Sequence, residues 1–173
     1  MQRLPRSAEP LRLTLSAGAP IWIATSLRIH DHVAEGLSQH GLIDTSVVIG
    51  LERIDPDTLP RRVAIAAITL AELAAGPHAT PRTDERARRQ QRLQLAEATF
   101  DPIPFDADCA RAYGLVYAET VRAGRKARGA RAIDLLIAAT ALAAKLPLYT
   151  ANPADFNTLT TLIDLHAVSL TPA

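Results

Sequence analysis

Short apolar segments, separated by stretches long enough for a helix, most constrain what this 173-residue chain can fold into. The apolar segments predicted as strands cover residues 42–44, 62–68, 147–150 and 164–170. Helix-favouring segments cover residues 69–76, 83–99, 106–123 and 131–145. Strands that alternate with helices require parallel crossovers, which cover both faces of a sheet. The sequence therefore predicts a three-layer α/β/α domain with a mainly parallel central sheet.

The composition excludes several classes of protein. Cys109 is the single cysteine, so an internal disulfide and a cysteine-rich metal site are both excluded. We predict that its thiol is buried in a helix and structural, as is common in a reducing cytoplasm, where we expect the protein. No apolar run reaches the roughly 18 residues of a membrane helix, so no membrane partner is expected. The net charge of +1 says nothing about nucleic acid, and only local positive charge could do so.

Residues 1–40 differ from the rest of the chain. Pro5, Pro10 and Pro20 interrupt them, and the alternating Leu11 and Leu13 suggest at most a short strand. We predict that residues 1–40 are a partly irregular extension, and that one domain covers residues 41–173.

Four acidic residues follow predicted strands. Asp44 ends the first strand, Glu72 is placed in the first turn of the helix after the second, Asp134 begins the long apolar helix, and Asp155 follows the 147–150 strand. Ligands of open parallel sheets bind beyond the carboxyl ends of the strands. We therefore expect these four side chains to converge on one edge of the sheet.

Each acid also has an ordinary structural interpretation, which is favoured when the residue is taken singly. Asp44 could cap a helix, and Thr69 with Glu72 matches a capping box. Asp134 could interact with a helix dipole, and Asp155 lies in an ordinary turn composition. The structural interpretation is weakest for Asp134, because its neighbours are apolar and an unpaired charge there is costly.

Taken together, the acids and their neighbours form an ordered set of four motifs. The motifs are Leu-Ile-Asp-Thr-Ser at 42–46, Thr-Leu-Ala-Glu-Leu at 69–73, Ala-Ile-Asp-Leu-Leu-Ile-Ala-Ala-Thr at 132–140 and Tyr-Thr-Ala-Asn-Pro-Ala-Asp-Phe at 149–156. In this order the set resembles a PIN domain, specifically the VapC-type toxin of bacterial toxin–antitoxin pairs. The resemblance covers residues 42–170.

The resemblance implies a Rossmann-like sheet whose carboxylates bind Mg²⁺ or Mn²⁺ and cleave RNA. It implies Asp44 and Asp134 as direct ligands, with Glu72 and Asp155 completing the site. Asn152 stands where many relatives have another acid, which weakens the case for a second metal ion. The implied partners are an RNA substrate, a cognate antitoxin and a second copy of the chain in a homodimer.

The chemistry of the acids supports the same assignment independently. Clustered carboxylates raise one another's pKa unless a cation neutralises them, and oxygen ligands suit a hard cation. The chain offers no cysteine and histidine cluster for zinc. Thr45, Ser46 and Thr150 are expected to hydrogen-bond carboxylates or phosphate, with helix capping as an equal alternative.

A basic segment without acids leads into Asp134. It contains Arg122, Arg125, Lys126, Arg128 and Arg131. We predict that it contacts the phosphate backbone of RNA, which supplies much of the affinity of nucleic-acid binding. The alternative is a solvated surface loop. The other arginine-rich segment, residues 82–92, includes acids and is expected to be a solvated helix face.

Two further functions remain open at this point. One is a PIN-like nuclease that acts on DNA or in RNA processing without an antitoxin. The other is a binding module that keeps the fold without catalysis, for which Asn152 is the sole support.

Overall fold

The computed structural model describes residues 12–13, 21–23 and 40–171, which contribute six strands to one sheet. The strands are β1 (Arg12–Leu13), β2 (Ile21–Ile23), β3 (His40–Ile43), β4 (Arg62–Ala64), β5 (Leu148–Thr150) and β6 (Leu165–Ala167). Their order is β1-β2-β4-β3-β5-β6, and every neighbouring pair is parallel except β1 and β2. The prediction of a mainly parallel sheet is confirmed.

Helices connect these strands. They are α1 (Thr45–Gly50), α2 (Ala67–Ala75), α3 (Thr83–Thr99), α4 (Ala107–Arg122), α5 (Ala130–Ala144) and α6 (Pro153–Phe156). Single 3₁₀ turns lie at Leu51–Arg53, Pro56–Thr58, Gly76–Ala79 and Asn157–Leu159. In the described part of the chain, no helix is both long and apolar enough to cross a membrane.

The core has two parts because successive strand residues point to opposite faces of the sheet. Leu42 and Leu148 pack on one face with apolar residues of α4 and α5. Ile43 and Tyr149 pack on the other face with residues of α1, α2 and α3. The predicted three-layer α/β/α arrangement is therefore present.

The buried face of α5 consists largely of small residues. Ala138, Ala139 and Ala141 have no exposed surface. Gly129, with a φ of 69°, precedes the helix, and Lys145, with a φ of 54°, ends it in the left-handed region. The short side chains allow α5 to pack closely in the core, where its most extensive contact is with α4.

Gly41 permits a close approach on the other face. A Cβ atom there would lie 2.5 Å from a ring carbon of Tyr149 and 2.9 Å from Pro60. The Tyr149 ring stacks on His166 with a centroid distance of 4.6 Å. Elsewhere in the core, Cys109 is buried within α4, as predicted, and burial raises the pKa of its thiol.

Two sequence-based predictions of local structure need correction or comment. Helix α2 begins at Ala67 rather than at Thr69, whereas its predicted end at Gly76 is confirmed, since Gly76 is the C-cap and a 3₁₀ turn follows. Within residues 1–40, the described parts are strands, and Ile23 of β2 lies opposite Val63 of β4. The predictions for Leu11 and the three prolines lie outside the described residues, and the boundary at residue 40 remains a prediction.

Candidate active site

Asp44 lies at the carboxyl end of β3 and is 4% exposed. Its Oδ1 accepts hydrogen bonds from the Ser46 hydroxyl at 2.7 Å and the Val47 amide at 3.0 Å. Its Oδ2 accepts one from the Thr150 hydroxyl at 2.7 Å. Asp44 is thus also the N-cap of α1, so the structural interpretation is correct without excluding a functional one. Burial raises the pKa of Asp44, while its hydrogen-bond donors act in the opposite direction.

The hydroxyls around Asp44 also join two strand ends. Ser46 Oγ accepts a hydrogen bond from the Ala151 amide, and Thr150 Oγ1 accepts one from the Asn152 amide, both at 2.9 Å. Because each hydroxyl donates to Asp44, the ends of β3 and β5 share one network. This network fixes the orientation of the carboxylate before any ligand is bound.

Glu72 lies in the second turn of α2, not in the first, and is partly buried. The Thr45 hydroxyl donates a hydrogen bond to its carboxylate. The capping-box interpretation is wrong, because the N-cap is Ala66 and no side chain caps this helix. Thr69 is fully buried inside the helix, and its hydroxyl lacks a hydrogen-bond partner among residues 40–171.

Asp134 lies in the second turn of α5, because the helix begins at Ala130, one residue earlier than predicted. It is therefore beyond the first turn, where the helix dipole acts most strongly. Burial raises the pKa of Asp134 to about 6, and the negative charges of Asp155, Glu72 and Asp44 add to this effect. The structure therefore brings all four predicted acids close enough for their charges to act on one carboxyl group.

Asp155 is much more accessible than Asp44. It lies in the four-residue helix α6, and its side chain is 42% exposed. Its Oδ1 is 4.0 Å from a guanidinium nitrogen of Arg131, whose charge lowers the pKa of Asp134. Asn152 is exposed at the N-cap of α6, and its side chain makes no capping hydrogen bond.

The donor set is suited to a hard divalent cation. It consists of four carboxylates with neighbouring hydroxyls, which is the oxygen chemistry that Mg²⁺ and Mn²⁺ prefer. In the described parts of the chain, no three Asp, Glu, His or Cys side chains lie close enough together to hold an ion between them. The fit to a metal ion therefore rests on donor chemistry and on the uncompensated charge around Asp134.

The basic residues before Asp134 differ in their contacts. Arg122 pairs with Glu119 at 2.6 Å within α4. Arg125 and Arg131 donate hydrogen bonds toward α6 and its following turn, through Ala154 O at 3.5 Å and Asp155 O at 3.3 Å.

Lys126 and Arg128 differ from these three residues. Both are exposed, and neither has an ion-pair or hydrogen-bond partner in the part of the chain that the structure describes. The second arginine-rich segment, on α3, is a solvated helix face as predicted, because Arg82 pairs with Asp84 and Arg89 with Glu85, both at 2.7 Å.

Comparison with known protein families identifies the family of this chain. Residues 41–159 match the family model described as PIN domain. The chain belongs to the PIN-domain family. The resemblance found in the four sequence motifs is thereby confirmed.

Relatives of this PIN domain include two ribonucleases of Mycobacterium tuberculosis. It is 38% identical over 122 residues to Ribonuclease VapC5, a match that covers 69% of the chain and 87% of that protein. It is 36% identical over 110 residues to Ribonuclease VapC8, which covers 63% of the chain and 96% of that protein. The PIN domain is therefore of the VapC type.

Solved structures agree with this assignment. The VapBC-5 toxin–antitoxin structure from Mycobacterium tuberculosis matches with a TM-score of 0.65 and 33% identity, covering 76% of this chain and 99% of that one. VapBC2 from Rickettsia felis, bound to a DNA fragment from the promoter, matches with a TM-score of 0.58 and 26% identity, covering 74% and 98%. The Rossmann-like PIN fold is confirmed.

One feature of this PIN domain was missed from sequence. Arg131 was assigned to the RNA surface, yet its side chain is only 22% exposed and is directed toward Asp155. The signal was available, because Arg131 precedes Asp134 by three residues and helical residues at that spacing share a face. The assignment of Arg131 to RNA remains an untested prediction, and its contacts now offer an alternative.

Proposed function

We propose that this PIN domain is a metal-dependent endoribonuclease and the toxin of a type II toxin–antitoxin pair. The main support for the proposal is that Asp44, Glu72 and Asp155 lie near Asp134. Burial and the charges of these three acids raise the pKa of Asp134 to about 6. Such a cluster is costly to maintain unless a cation neutralises it. The ribonuclease names of the relatives support RNA as the substrate.

The residues have distinct roles in this proposal. Asp44 and Asp134 would hold Mg²⁺ or Mn²⁺, with Glu72 and Asp155 completing the site and Asn152 as a neutral oxygen donor. The bound cation would polarise a phosphodiester and help to activate water. Ser46 and Thr150 orient Asp44, and Thr45 orients Glu72. Asp134 is the acid that could hold a proton near neutral pH.

RNA would approach across the loop between α4 and α5. Lys126 and Arg128 are the two basic residues of this loop that are exposed and unpaired within the described residues. Phosphate contacts from such side chains give affinity without sequence specificity. The four acids would then lie next to the phosphate backbone of an RNA strand bound by this loop.

The decisive experiment is incubation of purified protein with total RNA, with and without Mg²⁺ or Mn²⁺. We expect cleavage that needs the metal and that Asp44→Asn abolishes. The matched control is Asp57→Asn, which changes an exposed acid remote from the cluster and should cleave like the wild type. Equal cleavage by the Asp44→Asn variant would refute the proposed site, and cleavage of DNA alone would favour the second function. A binding module without catalysis predicts no cleavage under any condition.

A protein antitoxin is the partner that the solved relatives favour, because VapBC-5 belongs to a family of toxin–antitoxin systems. A groove of about 310 Å³ between α1 and α3 offers a site for one of its segments. Ile49 and Leu95 line the groove and are 48% and 51% exposed. Inhibition of RNA cleavage by the product of a neighbouring small gene, lost in Leu95→Glu, is the expected result. Inhibition unaffected by Leu95→Glu would place the antitoxin elsewhere.

A homodimer completes the proposed assembly. Leu115 and Val121 of α4 are 60% and 51% exposed, and the proposed homodimer would bury them at the contact between the two subunits. Analytical ultracentrifugation should show a dimer for the wild type and a monomer for the Leu115→Glu and Val121→Glu double variant. A wild-type monomer at all concentrations would contradict the dimer.

A further inference from the structure

We propose that Arg125 and Arg131 form a clasp that holds α6, and with it Asp155, against α5. In this role both arginines are positioning residues and not contacts to RNA phosphate. The inference deepens the proposed function, since Asp155 belongs to the proposed active site.

The first half of the clasp is Arg131. Its Nη1 donates a hydrogen bond to the Asp155 carbonyl oxygen at 3.3 Å, and its Nη2 lies 4.0 Å from the Asp155 carboxylate. The side chain is 22% exposed, so these contacts are partly shielded from water. One guanidinium thus holds both the backbone and the side chain of the same residue.

The second half is Arg125, which reaches the same segment from the loop before α5. Its Nη2 donates to the Ala154 carbonyl oxygen and its Nη1 to the Asn157 side chain, each at 3.5 Å. These long contacts are weaker than those of Arg131. Together the two arginines contact residues on both sides of Asp155.

Helix α6 needs such support because of its length and its charge. It has four residues, its N-cap Asn152 makes no side-chain hydrogen bond, and an isolated helix so short is unstable. The buried Phe156 anchors its far end. The carboxylates of Asp155 and Asp134 repel each other. Without a positive charge between the two helices, this repulsion would favour movement of α6 away from α5.

Neighbouring residues in the same loop provide a matched comparison. Arg128 carries the same charge as Arg131, yet it is exposed and unpaired within residues 40–171. If the arginines act through general positive charge, substitutions at both positions should have similar effects. If Arg131 acts as a clasp, its substitution should loosen α6, whereas substitution of Arg128 should affect only RNA binding.

The test compares Arg131→Gln, Arg131→Lys and Arg128→Gln by amide hydrogen exchange of metal-free protein, which requires neither RNA nor catalysis. We expect faster exchange at Asp155 and Phe156 in Arg131→Gln, partial recovery in Arg131→Lys, and wild-type exchange in Arg128→Gln. Unchanged exchange in Arg131→Gln would overturn the clasp. This readout remains valid even if the protein cleaves no RNA, so the two proposals fail separately.

Mn²⁺ titration by calorimetry gives a second readout, in which the sign of the change is decisive. Loss of a residue that supports a metal ligand lowers affinity by about ten- to a hundredfold, so we expect Arg131→Gln to bind Mn²⁺ more weakly. A residue that acts only as a repelling charge would, when removed, tighten binding instead. Tighter binding in Arg131→Gln would therefore overturn the proposal, and Arg128→Gln should bind like the wild type.

Salt dependence of RNA binding, measured in EDTA, completes the comparison. Arg128→Gln should lower the logarithmic salt slope by about one unit, as expected for a lost phosphate contact, and Arg131→Gln should leave it unchanged. A slope lowered equally by both variants would identify Arg131 as a phosphate contact and refute the clasp.

Discussion

The two sides of the candidate site hold their acids in different ways. Asp44 is 4% exposed, and three donors at 2.7–3.0 Å fix both of its oxygens. Asp155 has a side chain that is 42% exposed, and its carboxylate has one cation at 4.0 Å. The first side is organised by the sheet before any ligand binds, whereas the second depends on contacts between helices. Substitutions should therefore affect the two sides by different mechanisms.

The largest effect is expected at the organised side. Asp44→Asn and Asp134→Asn should abolish RNA cleavage while the fold is retained, because each removes a charge that the proposed metal ion requires. Cleavage assays combined with circular dichroism measure both properties. Glu72→Gln and Asp155→Asn should weaken cleavage, and wild-type cleavage in either Asp44→Asn or Asp134→Asn would refute the proposed site.

A smaller effect is expected when the network around Asp44 is changed and the acid is kept. Thr150→Val removes the donor to Asp44 Oδ2 and the acceptor of the Asn152 amide. Loss of a residue that orients a ligand should reduce Mn²⁺ affinity by roughly tenfold or more. Thr160→Val, at an exposed threonine outside the cluster, is the control. Equal affinity in Thr150→Val and wild type would show that the network does not organise the site.

The charge on Asp134 predicts a pH-dependent difference in stability without metal. Because its pKa in the folded state is about 6, above the ordinary value, the folded state binds the proton more tightly. Its contribution to stability is full below pH ~4 and is lost as the pH rises through 6. After allowance for solvent screening at this partly exposed group, Asp134→Asn should be more stable than wild type by about 1–2 kcal/mol at pH 7.

Urea denaturation in EDTA at pH 4 and pH 7 measures this difference. The advantage of Asp134→Asn should be present at pH 7 and nearly absent at pH 4, where both side chains are neutral. An advantage that is equal at the two pH values would mean that charge repulsion is not its cause.

The basic loop gives a smaller effect that leaves the metal site unchanged. Replacing Lys126 and Arg128 with alanine should lower the logarithmic salt slope of RNA binding by about two units. Adding Arg125→Ala should lower it little further, because that side chain already contacts Ala154 and Asn157. Binding titrations at several salt concentrations provide the slopes. Slopes parallel to that of the wild type would place RNA elsewhere on the surface.

The smallest effect on activity is expected from removal of residues 1–38. We expect the shortened protein to keep nuclease activity, since the four acids lie at the end of β3 and on α2, α5 and α6. The structure makes this a sharper test, because β2 pairs with β4 and removal of β2 would leave the edge of β4 unpaired. Loss of folding or of cleavage in the shortened protein would show that these residues belong to the domain.

Sequence patterns predicted which acids come together better than they predicted the exact positions of those acids in the helices. Asp44 could be predicted because an acid that follows an apolar strand lies at a sheet edge. The start of α2 could not, because its first amide, from Ala67, donates to Ile103 O at 2.8 Å and Ala66 forms an isolated parallel bridge with Ile103. That long-range contact replaces a capping side chain and leaves no local signal.

The start of α5 was predictable in principle. Gly129 adopts a φ of 69° directly before the helix, a conformation that favours glycine. With that start, Asp134 falls in the second turn, and Arg131 shares its face. The contacts of Arg125 could not be predicted, because they depend on how the loop crosses α6.

The buried alanines of α5 are expected to influence the candidate site without belonging to it. Ala138, Ala139 and Ala141 have no exposed surface, and the helix that carries them packs most extensively on α4. Close-packed cores respond to a change of even one methylene group. Asp134 is part of the same helix, so a larger side chain at any of these alanines is expected to move its carboxylate. Substitution of these alanines by larger residues is therefore expected to change the proposed RNA cleavage while every acidic residue stays in place.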